Sequence, residues 1–85
     1  MDNVTLNNEV LEKLAAGWRS QLSLEGCFLI MGNVQDLPNS WSMVDCTFTT
    51  LEAADRAFKK RVANTSKGTL ALIDPSNSVV ELVTV

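Results

Sequence analysis

The chain has no histidine and no tyrosine, and only two cysteines and two prolines among 85 residues. The missing imidazole removes Ser–His and Cys–His nucleophile pairs and the commonest general base. It also removes imidazole metal ligands, and Cys27 and Cys46, nineteen positions apart, do not make a zinc site. No metal and no cofactor is expected. Gly26 and Gly32 flank a strand-like run, whereas phosphate-cradling loops lead from a strand into a helix. The longest apolar run, Cys27 to Met31, cannot span a bilayer, so no membrane partner is expected. Positive charge is scarce: seven Lys and Arg stand against ten Asp and Glu, a net charge of −3. That balance argues against general affinity for nucleic acid, which needs excess cations to displace phosphate counterions. The opening MDNVTLNNE is polar and acidic, unlike a signal or transit peptide. The expectation is a cytoplasmic protein with both cysteines reduced.

What is present is an ordinary globular composition, 46% hydrophobic and 20% charged. Residues 1–85 make one domain, and a chain this short buries only about 60–65% of its unfolded surface. Residues 8–22 read as a helix, with Val10, Leu11, Leu14, Trp18 and Leu22 on one apolar stripe. Asn7 is its expected N-cap, with Leu6 and Leu11 as a hydrophobic staple and Glu9 in the positive first turn. Gly17 inside this helix either admits another backbone or is a tolerated weakness.

Residues 26–32, "GCFLIMG", read as a strand buried on both faces and bounded by glycines. Residues 33–40 carry Asn, Asp, Pro and Ser and read as a loop. Residues 41–49 alternate as a strand. Residues 50–63 form a second helix, entered by Thr49 and Glu52 at capping-box spacing. Leu51, Ala54, Ala57, Phe58 and Val62 are its buried stripe. Residues 69–73 and 79–85 are strands joined by "DPSN", a type I turn signal with Pro75 at its second position. Val83 and Val85, near the end of the last strand, are expected to be structural. The fold class is α+β, in the order α-β-β-α-β-β, with a four-stranded, mainly antiparallel sheet and two helices.

If the 33–40 loop closes symmetrically, Cys27 faces Cys46, Leu29 faces Val44 and Met31 faces Ser42. On the other face Phe28 meets Asp45 and Ile30 meets Met43, with Trp41 beside them. Opposed residues share a sheet face, so both faces of the hairpin are largely apolar. Either the helices pack on opposite faces, or both pack on one and a partner buries the other. Phe28, Ile30, Trp41 and Met43 are therefore the candidate partner-binding patch.

The chemistry still available is limited. Asp45, mid-strand between Val44 and Cys46, is either a partly buried carboxylate, as in a catalytic pocket, or an edge charge that deters aggregation. The cysteines read as small core hydrophobes, and a facing pair can form a cross-strand disulfide if the geometry allows. Neither lies in a CxxC or beside a basic residue in sequence. Arg56, Lys59, Lys60, Arg61 and Lys67 form a basic cluster in an otherwise acidic chain, a candidate polyanion-binding surface. The bland reading is strong. Glu52 and Arg56, and Asp55 and Lys59, are i,i+4 pairs, positive charge suits a helix C-terminus, and no aromatic is interleaved for base stacking.

The helix–strand–strand–helix opening, residues 8–63, is similar in order to the roadblock and profilin-like small domains, which are α+β scaffolds that often dimerise. A β-grasp-like hairpin–helix–hairpin fits equally, and no motif is shared with either. Order alone does not give function. The expectation is a non-enzymatic interaction, adaptor or inhibitor module that binds a protein partner or itself as a homodimer. An RNA-binding or regulatory module using the basic end of the second helix is the alternative. A thiol- or carboxylate-based enzyme is disfavoured.

Overall fold

The structure, a computed structural model, describes residues 3–33 and 41–85, the side chains of residues 3–8 excepted. Its elements are helix α1 (Asn3–Leu22), strands β1 (Phe28–Asn33) and β2 (Ser42–Phe48), helix α2 (Leu51–Ala63) and strands β3 (Thr69–Ile73) and β4 (Val79–Thr84). The order is the expected α-β-β-α-β-β. The four strands form one sheet in the order β2-β1-β3-β4, and every neighbouring pair is antiparallel.

α1 begins at Asn3, so Asn7 lies inside the helix and is not its cap. The apolar stripe marks where a helix is buried, not where it starts. No Gly or Pro lies between Asn3 and Asn7 to stop extension, and Asn and Thr each cost only tenths of a kcal/mol, roughly 0.5, in a helix. The Leu6 staple lies outside the described side chains. Leu11, Ala15 and Arg19, at successive spacings of four, form the buried line of the helix. Leu14 and Trp18 flank it half-buried, while Val10 and Leu22 are exposed. Gly17 is exposed, and a Cβ there would meet nothing within 4 Å. It is a tolerated weakness, not a point of close approach. Ser23 ends the helix at φ 56°, and the Leu24 amide reaches back 3.0 Å to the Arg19 carbonyl. This is the αL stop that satisfies terminal carbonyls.

All six residues of β1 are buried, as a central strand covered on both faces requires. Gly32 lies within this strand, not at its boundary, and the strand runs on to Asn33. A Cβ at Gly32 would lie 3.0 Å from Leu70 Cδ2 and 3.3 Å from Val44 Cγ2. The rest of the expected loop, residues 34–40, lies outside the described residues.

The helices pack on opposite faces. On one, Leu11 and Ala15 of α1 meet Cys27, Leu29, Met31, Ala71 and Ile73. On the other, Ala54 and Phe58 of α2 meet Phe28, Ile30, Leu70 and Leu72. The α2 cap is Thr50, not Thr49: its Oγ1 accepts the Ala53 amide at 3.3 Å. Leu51, the first helical residue, is exposed and leaves the expected stripe. The turn from β3 to β4 follows the "DPSN" signal. Asn77 donates its amide to the Asp74 carbonyl at 2.9 Å and then takes φ 69°. The Asp74 carboxylate accepts the Ser76 and Ser78 amides, each at 2.9 Å.

The expected register of the first hairpin is wrong. Phe28 pairs with Phe48, Ile30 with Asp45, Met31 with Met43 and Gly32 with Ser42. Two irregularities place extra residues in β2, one between Phe48 and Asp45 and one between Asp45 and Met43. Each bulge opposes an additional β2 residue to β1 and alters the alternation of side chains. Val44 and Asp45 consequently lie on the α2 side, Val44 packed in its cluster and Asp45 opposite Ile30. Met43 and Cys46 join the α1 side. Cys27 does not face Cys46, and both thiols are free.

Candidate functional site

The four residues expected to share one patch are divided between two faces. Phe28 and Ile30 are buried under α2. Trp41 and Met43 are half-buried on the α1 side, at the margin of that cluster. What unites the region is β2, which carries Met43, adjoins Trp41 and pairs with β1 on one edge only. As an outer strand it presents an edge that nothing among the described residues pairs with.

On the α2 side of β2 lies a cleft of about 350 Å³, lined by Ile30, Asp45, Ala57, Lys60, Arg61 and Asn64. Ile30 and Ala57 contribute its apolar lining. The last turn of α2 supplies the cations, and Asn64 caps that turn, its amide donating to the Lys60 carbonyl at 3.2 Å and its side chain at 3.0 Å. Asp45 enters from the opposite wall because of the bulge. Its Oδ1 accepts the Thr47 amide at 3.1 Å and the Thr47 hydroxyl at 2.8 Å, which fixes the carboxylate against its own strand. Asp45 thus shares the cleft with two cations and stands apart from Trp41 and Met43.

The basic cluster divides into different environments. Arg56 pairs with Glu52 at 3.2 Å and Lys59 with Asp55 at 2.9 Å, as their i,i+4 spacing foretold. Lys60 and Arg61 are exposed at the cleft and make no ion pair among the described residues. Lys67 lies beyond the helix, in the segment leading to β3.

On the other side of the sheet, residues far apart in sequence meet at Arg19. Its guanidinium is buried and donates to the Asn77 side chain, to the Asp74 carbonyl at 2.7 Å and to the Leu24 carbonyl at 3.4 Å. Its Nη1 also lies 3.7 Å from the Cys27 sulfur. Neighbouring residues in the chain gave no sign of this. The available signal was the i,i+4,i+8 spacing of Leu11, Ala15 and Arg19, which puts an arginine on the buried face. The arrangement clamps α1 to the β3–β4 turn. Burial alone would raise the Asp74 pKa, but hydrogen bonds from Ser76 and Ser78 and the Arg19 charge outweigh it and hold the carboxyl below its ordinary value.

A second groove, of about 400 Å³, lies between α2 and the other outer strand and is lined by Leu51, Glu52, Asp55, Val80 and Glu81. Asp55 and Glu81 face one another there. Hydrogen bonding to Asp55, with burial and like charge, raises the Glu81 pKa. Lys59 above all, and then Glu81, lower that of Asp55.

Among the described residues no three His, Cys, Asp or Glu side chains are grouped to hold a metal, and no helix is long and apolar enough to cross a membrane. No family model, no curated protein and no solved structure matches the chain.

Proposed function

We propose that the protein is a non-enzymatic interaction module of the cytosol, binding a protein partner through the β2 side of its sheet. The observation that carries this reading is the edge of β2, unpaired among the described residues, with half-exposed Trp41 and Met43 on one side of the strand and the cationic cleft on the other. Aromatic and Met side chains are favoured at the cores of interfaces. The lack of histidine and the fixed, strand-bound Asp45 leave few groups for acid–base chemistry.

Photo-crosslinking tests this reading. A benzophenone side chain placed at exposed Ser42 or Thr47 is expected to give one dominant adduct in the native host, and the same group at Thr84 of β4 none. An adduct of twice the chain mass identifies self-association. Equal, diffuse labelling from all three positions refutes a β2 interface. RNA binding is favoured by one observation only, that Lys60 and Arg61 make no ion pair among the described residues, and RNA adducts from Thr47 would select that second reading.

A further inference from the structure

We propose that the cleft between α2 and β2 receives a carboxylate side chain from an extended acidic segment of the partner protein. The inference rests on the interaction reading above and adds the chemistry of the partner. Positive charge in the last turn of a helix is common and is no site in itself. Here the four α2 cations are divided between two uses. Arg56 and Lys59 are taken up by carboxylates one turn earlier, while Lys60 and Arg61 project at a concave, partly apolar cavity. The cavity is lined by Asp45 of the outer strand β2, whose far edge pairs with nothing among the described residues, so a chain lying along that edge can deliver a side chain into it. Two cations beside an apolar floor of Ile30 and Ala57 complement a short carboxylate carried on an aliphatic stem.

Asp45 separates this ligand from a nucleic acid. Its carboxylate stands in the same cleft and accepts hydrogen bonds from the Thr47 amide and hydroxyl. A run of phosphates would meet that charge, and the chain as a whole carries −3. A single carboxylate brings one negative charge into the cleft, against the two positive charges of Lys60 and Arg61.

The test uses the full chain and a capped eight-residue peptide alternating Glu and Val, with its Gln-for-Glu counterpart and a ten-residue oligouridylate as comparisons. Amide NMR shifts are expected at Asp45, Ala57, Arg61 and Asn64 with the Glu peptide. Binding should weaken about fivefold in Lys60→Gln/Arg61→Gln, since each exposed charge pair contributes little, and weaken equally with the Gln peptide. Both substitutions are at exposed positions and should leave the spectrum of the fold in place. No shift at millimolar peptide, shifts centred elsewhere, or equal binding by the double variant overturns the proposal, as does tighter binding of the oligouridylate at these residues. Should the peptide fail while crosslinks from Ser42 persist, the interaction reading stands and the acidic partner is refuted.

Discussion

Arg19 carries a charge where few residues tolerate one, and its fork is matched by three acceptors, one just after α1 and two in the β3–β4 turn. Replacing it with Ala leaves the Asp74 and Leu24 carbonyls and the Asn77 side chain without that donor. A buried polar group that loses its partner costs more than a hydrogen bond contributes when formed. Arg19→Ala is therefore expected to destabilise by about 2–4 kcal/mol, read from urea unfolding. Lys at the same position offers a point charge without the planar fork and should recover only part of the loss. A loss under about 0.5 kcal/mol, typical of surface substitutions, would show that the clamp does not hold α1. Gly17 argues the opposite way. With nothing within 4 Å of a Cβ, Gly17→Ala should stabilise by roughly 0.5–1 kcal/mol through helix propensity and chain entropy. A lowered thermal midpoint would mean that this glycine has a neighbour after all.

At the scale of elements, the Thr50 hydroxyl is the visible device at the start of α2, and Thr50→Ala should cost about 1 kcal/mol. Thr49→Ala, one residue outside the cap, should cost far less, and a reversed order in thermal melts would restore the cap to Thr49. The element order was legible because each segment carries its own period and punctuation: 3.6-residue stripes in α1 and α2, a continuous apolar run in β1, and Asp-Pro-Ser-Asn between β3 and β4. The register was not. Bulges leave no signature in a strand of mixed side chains, and assuming a symmetric loop held the pairing constant where the structure lets it slip. That slip moved Asp45 to the α2 side and separated Trp41 and Met43 from Phe28 and Ile30. The cleft was partly legible. Lys60 and Arg61 stood out as charge, and the i,i+4 pairs that set Arg56 and Lys59 apart were legible, but the position of β2 against the end of the helix was not.

For the molecule as a whole, three carboxyl groups respond to acid in opposite directions. Asp55 and Asp74 have folded pKa values below the ordinary 3.8, so their contribution is present above that value and is lost as pH falls through the lowered ones. Glu81 is raised above 4.5, so its contribution is complete below 4.5 and is lost as pH rises through its folded value. Stability from these groups should therefore be greatest between pH 3.8 and 4.5, since the Glu81 contribution declines above that window and those of the aspartates decline below it. Asp55 and Lys59 of α2 act on Glu81, and Glu52 lines the same groove with Leu51 and Val80. Glu81→Gln keeps a donor for Asp55 and removes the like charge. Its urea midpoint should exceed that of the parent at pH 7 and meet it near pH 4. A difference between the two proteins that stays constant from pH 4 to pH 7 would separate Glu81 from Asp55 and leave the pH response of the fold to the Asp74 turn and the Lys59 pair.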